Sequence, residues 1–558
     1  MDKQTIRFIL LSVVIFLGFS LFSKYFSPKD NQTQSVNNLV KSKDYNVVDE
    51  VGTQELPNAI IDPATKDPLS NYKKLNNTSL VNVVTDNLSL KINENGDLIF
   101  AELKKYPKEN QHKEAGFPLL TQQADRFYIV QSGLLSEIGP DSKVYGRAKF
   151  TAAKSNYVMQ DNQDQLTVDL SYAGEIQNNS QLKFIKRFIF YKNSYLIDVQ
   201  YIISNNGQTD YTGSMYGRLR RSAEKSSGGI FGGGLRTYTG AAINTPEEKY
   251  KKISFANMKD PYRISFNGGW IAMLEHYFVS AWIPDPSNFT EYQTEQFNDN
   301  TFGIRFVNSP IKVSPGTSKV ISTKLFIGPK ITKVLKEISP ALDLTVDYGV
   351  LWWLCVPLFW LLKNIFNLIG NWGWSIIITT LVVKLLFYRL SAYSFHSMGN
   401  LRKLQPKIEA LKANIGADRQ KFSQAIMELY RKEKVNPLGG CLPILLQIPV
   451  FISLYYVLLE SVELRQASWW LWITDLSAKD PFYVLPVMMG LSMFFQQKMN
   501  PPPADPMQAK ILMIMPIFFS VLFLQFPSGL MLYWVVNNTL SILQQMFINR
   551  NLEKSISK

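Results

Sequence analysis

Cysteine and histidine are almost absent from the 558 residues, which include two of the first (Cys355, Cys441) and three of the second (His112, His276, His396). Two cysteines exclude a disulfide-stapled scaffold, and three scattered histidines do not suggest a zinc cluster. No metal or cofactor is therefore expected. No P-loop spacing occurs, nor any Ser/His/Asp ordering that suggests a hydrolase, so the chain carries no recognisable engine and is not expected to be an enzyme. Charged residues are also sparse, at 19% against an apolar share of 46%. That is too little charge for an average soluble chain and too few apolar residues for a wholly intramembrane one. A hybrid is implied, with water-soluble mass joined to membrane-buried mass. The net charge of +14 suits a membrane surface or a nucleic acid. From Val350 onward there are 19 Lys+Arg and 10 Asp+Glu, a net of +9, leaving +5 for the first 349 residues. The apolar half is the basic half, which favours a membrane protein with basic loops and no direct nucleic-acid contact.

The pattern changes several times along the chain. Lys3 and Arg7 precede an apolar run from Phe8 to Phe22, and the following FSKYFSPKD offers no small-residue cleavage site. Residues 1–26 therefore read as an uncleaved anchor with a cytoplasmic N-terminus, a cleaved signal being the alternative. Residues 27–71, rich in Asn, Asp, Ser, Lys and Pro, read as a periplasmic tether. From 72 to 345 the period is two. LSLKINENGDLIFAEL suggests a hairpin turning at Asn95-Gly96, and LKFIKRFIFY and YLIDVQYIISNNGQ continue the alternation. One large β-sandwich-type domain is expected. The glycine-rich Ser226–Tyr238 stretch lacks phosphate-loop spacing and reads as a loop.

After Asp347 the chain becomes membrane-like. Residues 346–370 are apolar but gather Lys363, Asn364 and Asn367 on one helical face, as an interfacial amphipathic helix does. Residues 371–391 read as a spanning helix, and 438–548 as four more, around Cys441–Leu459, Tyr483–Gln497, Ile511–Phe526 and Leu530–Ile548. Between them, 392–437 carries nine basic and four acidic residues, which places it in the cytoplasm by the positive-inside rule. Its apolar stripe (Met398, Leu401, Leu404, Ile408, Leu411, then Phe422, Ile426, Leu429) predicts an antiparallel helical hairpin. Arg402, Lys403, Lys407 and Lys412 on its flanks are expected to meet the ribosome or an emerging chain transiently. Six spans, with the tail 549–558 also cytoplasmic, satisfy every loop.

Several stretches then become recognisable: NWGWSIIITTLVVK, LQPKIEALK, KEKVNPLGGCLPILLQIPVF, SVELRQA, LWITDLSAKDP, FFQQKMNP and FPSGLMLYWVVNN. From about Tyr348 to Glu553 the chain resembles the YidC/Oxa/Alb insertases, and its anchor and β-domain resemble the layout of Gram-negative members alone. The resemblance implies an inner-membrane insertase and foldase, acting alone or beside the Sec translocon, with nascent membrane proteins as clients and lipids around it, and active as a monomer. It implies a periplasmic β-supersandwich similar to sugar mutarotases. It also implies a hydrophilic groove among five spans, open to cytoplasm and lipid, with a positive residue inside. The family's usual Arg aligns with Lys384, which keeps the charge but loses the planar fork of donors. The family's usual Tyr aligns with Trp534, next to Tyr533, and the groove is expected to be lined by Lys384, Thr380, Gln447, Tyr533, Trp534 and Asn537.

Lys384 stands out without the resemblance. An ionisable side chain within a span is costly and faces a wet cavity, or else snorkels to the boundary. Arg389 is better placed for snorkelling. Thr380 lies four residues earlier, on the same face. Gln447, Ser453, Ser520, Asn537, Asn538 and Thr539 add polar groups in other spans; each alone reads as interhelical glue, and together they suggest a wetted interior. Seven methionines from Met488 to Met515 suit an adaptable apolar surface or plain filler. Two spans of about 15–16 residues, roughly 22–24 Å long, fall short of a hydrocarbon layer of about 30 Å. A secondary transporter and a tethered periplasmic binding protein are the rival readings.

Overall fold

The computed structural model describes residues 79–108, 115–123, 126–142, 146–173, 181–223, 237–415, 419–433, 435, 442–500 and 506–554. The expected anchor and tether lie outside them, as does the glycine-rich stretch up to residue 236. The chain divides into a β-unit ending at Val346 and a helical unit from Asp347 onward.

The β-unit is built from an eleven-stranded and a nine-stranded sheet. Strands Leu88–Asn93 and Leu98–Pro107 pair antiparallel around the Asn95-Gly96 turn, with Gly96 in the left-handed region at φ 70°, where a side chain would be strained. Leu182–Tyr191 pairs with Leu196–Asn205 in unbroken register from Phe190/Ile197 to Leu182/Asn205. Both strands bury every second residue, the signature of strands with one face on a core. The long strand Tyr211–Ser222 sits between Phe127–Ser136 and Thr301–Asn308 in the larger sheet. Its Gly217 lets the sheets approach: a Cβ there would lie 2.4 Å from Phe306 and 2.8 Å from Trp282 of the other sheet. The Trp282 indole donates to Arg218 O at 3.4 Å, so the sheets are packed face to face around buried Trp270, Trp282 and Tyr201.

A short helix, α1 (Thr332–Ile338), closes the β-unit. The helical unit contains α2 (Trp352–Ile369), α3 (Trp372–Leu386), α4 (Tyr388–Lys403), α5 (Gln405–Ile415), α6 (Arg419–Lys432), α7 (Leu442–Glu460), α8 (Val484–Met499), α9 (Pro506–Leu522) and α10 (Ser528–Lys554). Gly370, at φ 74°, ends α2 with its N–H on Phe366 O. One residue later Asn371 caps α3, accepting from Trp374 N at 3.2 Å. This tight corner stacks Phe366 on Trp372 at 4.0 Å. α3 and α4 meet at Phe387 with a bend of 68°. α5 and α6 pack together, with Leu404 and Ile408 buried on the seam and Lys407 paired to Glu433 at 2.6 Å.

Among the described residues, 349–369 form one helix long and apolar enough to cross a membrane. It is the helix expected, on the strength of Lys363, Asn364 and Asn367, to lie flat on the membrane surface. The bent pair α3–α4 passes the same length and composition test as one unit, and 447–460 and 509–525 are shorter apolar stretches. α8 and α9 touch closely: a Cβ on Gly490 would lie 2.0 Å from Ser520 Oγ.

Candidate functional site

The bend at Phe387 gives α3 and α4 a common inner corner. Thr380, Val383 and Lys384 from α3, Phe387 at the break and Ser391 from α4 line one side of an open cleft; Gln447 and Val450 of α7 and Tyr533 and Asn537 of α10 line the other. The cleft and the open space at its mouth together amount to about 400 Å³. Five of the six residues expected to form a groove (Lys384, Thr380, Gln447, Tyr533 and Asn537) therefore line one cleft, and Trp534 does not.

A hydrogen-bond chain crosses it. Lys384 Nζ donates to Ser541 Oγ at 2.6 Å, and Ser541 Oγ donates to Asn537 O at 2.7 Å. Asn537 Oδ1 accepts from Gln447 Nε2. Three helices are thus tied by one polar line from α3 through α10 to α7. Lys384 is half-buried whereas Arg389 is exposed. No carboxylate lies within ion-pair reach of Lys384 among the described residues. Its ammonium is held by one neutral oxygen, Ser541 Oγ.

Thr380 donates to its own helix, at Ile376 O 2.7 Å, and lines the cleft without bridging it. Trp534 lies beside the cleft in an aromatic cluster, 4.5 Å from Phe451 and 5.3 Å from Phe523 by ring centroids. Asn538 turns the other way, donating to Ser492 of α8 at 3.0 Å. Ser520 and Thr539 bond back to Pro516 O and Val535 O. Arg402, Lys403, Lys407 and Lys412 are exposed on α4 and α5, apart from the cleft. Sequence reasoning missed Ser541. The signal was available, because Asn537, Ser541 and Gln545 recur at four-residue spacing on one helix face, and all three are buried.

Comparison with known proteins completes the picture. Residues 80–361 match the YidC periplasmic domain, and 363–555 match the family described as 60Kd inner membrane protein. The membrane protein insertase YidC of Pseudomonas putida (strain GB-1) is 47% identical over 503 residues, covering 90% of this chain and 88% of its own length. This chain belongs to the YidC membrane protein insertase family. The relative from Stutzerimonas stutzeri (strain A1501) is 48% identical over 85% of each chain. Among solved structures, an active YidC insertase with its first transmembrane domain resolved matches at 20% identity and a TM-score of 0.38, covering 84% of this chain and 92% of that one. The β-unit falls within the stretch that matches the family's periplasmic domain, and most of the helical unit within the stretch that matches the 60Kd inner membrane protein.

Proposed function

We propose that the cleft is a receiving groove for the polar flank of a client membrane segment, with Lys384 as its electrostatic attractor. The observation that carries this reading is the placement of Lys384: half-buried, lining an open cleft, held by Ser541 and facing no carboxylate among the described residues. A lysine that only snorkelled would point its ammonium to the boundary, where Arg389 already sits.

The energetics need no fuel. Moving a roughly 20-residue apolar segment from water into lipid is strongly favourable, at about 25 cal/mol per Å² buried. The obstacle is the client's polar end, and a positive charge in a polar cleft lowers the cost of bringing an acidic tail partway across. The insertase works alone or beside the Sec translocon, as a monomer. By the positive-inside rule, α5 and α6 lie in the cytoplasm, where their exposed Arg and Lys meet the ribosome or a nascent chain through contacts that salt screens. In the same topology α2 lies along the outer surface. Its Lys363 reaches Glu463, just past the end of α7, at 3.4 Å, which supports that position. A transporter would need a second broken helix in a matching half; the described helices offer the single bend at Phe387.

Substitutions at Lys384 test the attractor. Lys384→Arg keeps the charge and should insert clients at the native rate. Lys384→Ala should slow acidic-tailed clients about tenfold, equivalent to about 1.4 kcal/mol, and Lys384→Glu should slow them further while sparing clients with neutral tails. Equal insertion by all three variants in a client assay would refute the reading.

A further inference from the structure

The segment between α7 and α8, residues 461–483, carries no assigned role, yets its backbone is tied down at unusual density. Asp475 Oδ1 accepts from Gln466 N (3.1 Å), Ser477 N (2.8 Å) and Ser477 Oγ (2.6 Å). Asp480 accepts from Trp472 Nε1 (3.0 Å), Phe482 N (3.0 Å) and Leu485 N (2.7 Å). The base of the loop is fastened to the start of α10 by Ser528 N on Ala478 O and Gly529 N on Leu476 O, at 2.7 and 2.9 Å. Its far end is fastened to the start of α3. Trp469 packs so tightly over Gly373 that a Cβ there would lie 2.1 Å from the indole, and Asn371 Nδ2 donates to Trp469 O at 3.2 Å.

All this scaffolding presents an apolar pair to the exterior. The turn closes through Trp469 N on Ile473 O (3.0 Å) and Ile473 N on Trp470 O (3.2 Å). At its tip Trp470 is 59% exposed and Leu471 64% exposed. Leu471 adopts φ 53°, a left-handed conformation that a branched side chain disfavours.

We propose that the Trp470–Leu471 tip is a lipid anchor, embedded at the boundary between headgroups and hydrocarbon, and that it fixes the depth of α3. The position of the tip selects lipid over a protein partner. It is clamped to the first turn of α3, beside Trp374, whose ring lies 5.8 Å from Trp469 and which is itself exposed on the outside of the helix. Further along the same helix Leu381, Val382 and Leu385 are also exposed, so this flank of α3 faces the hydrocarbon. Tryptophan favours the interfacial layer because its body is apolar and its N–H is polar. Lys384 follows Trp372 by twelve residues, roughly 18 Å along a helix. Pinning the first turn at one boundary therefore holds Lys384 below the midplane of a core about 30 Å thick.

The proposal rests on the membrane-spanning reading of α3, and the test separates the two. The full-length protein, with Cys355 and Cys441 replaced, carries Leu471→Cys or Leu385→Cys labelled with an environment-sensitive NBD dye. Each is reconstituted in vesicles of phosphatidylethanolamine and phosphatidylglycerol containing shallow (5-doxyl) or deep (12-doxyl) quencher lipids. At position 471 the account expects blue-shifted emission, lost more to the shallow quencher than to the deep one. Water-like emission at 471 with lipid quenching at 385 overturns the anchor and leaves the span intact, pointing to a protein partner or free solvent. Water-like emission at both positions overturns the spanning reading and the anchor with it.

Discussion

Lys186 is a lysine wholly buried in the β-unit. The alternation of LKFIKRFIFY places it on the inner face with Phe184 and Phe188, and it is 0% exposed between the sheets. Its Nζ donates to Gly96 O at 2.7 Å and Ser132 O at 2.8 Å. Burial pushes its pKa down from 10.5 to about 7, even though Asp97 pulls the other way. The unfolded chain keeps the usual lysine value, so between about pH 7 and 10.5 the folded state binds fewer protons than the unfolded one. Stability must then rise with pH across that window and be lost as pH falls towards 7. The unfolding free energy of the β-unit, from urea titrations, should increase from pH 7 to pH 9 by on the order of 2 kcal/mol. Lys186→Met should flatten that slope, and identical slopes for the two proteins would refute the assignment. Lys384 is half-buried, and its ammonium donates to the neutral Ser541 hydroxyl.

At the scale of elements, the α8–α9 pair depends on a missing side chain. Gly490 allows Ser520 Oγ to approach to 2.0 Å of where a Cβ would stand. Gly490→Ala should force the helices apart and cost about 1–3 kcal/mol, read as a lower melting temperature in detergent. Adding Ser520→Ala removes the obstructing hydroxyl and should recover most of the loss; no recovery would mean that the helices meet elsewhere. The helices were largely legible because apolar runs and their capping residues coincide: Asn371 opens α3, and Gly370 ends α2. Strand alternation and the Asn95-Gly96 turn were legible for the same reason, since one buried face imposes a period of two. The break at Phe387 was not, because neither glycine nor proline marks it. Ser541 also escaped notice. A serine in a span reads as ordinary interhelical glue until the bend brings α3 against α10.

At the scale of the whole molecule, the division into units followed from composition, because a period-two stretch with little net charge gives way to a basic apolar one. The topology rests on charge. A cysteine at Lys412 should react only with reagents that reach the cytoplasm, and one at Ser477 only from the periplasm; labelling of position 412 from outside would overturn the arrangement. The central claim is that clients pass through the cleft under the pull of Lys384. The most direct measurement is photocrosslinking to a nascent single-span client from a probe at Val450, which lines the cleft, with a probe at Leu368, 87% exposed on α2, for comparison. The account predicts that Val450 captures the client during insertion, more strongly for an acidic tail than for a neutral one, and that Lys384→Glu abolishes this preference. Equal capture from both positions, or a preference that survives Lys384→Glu, would contradict it.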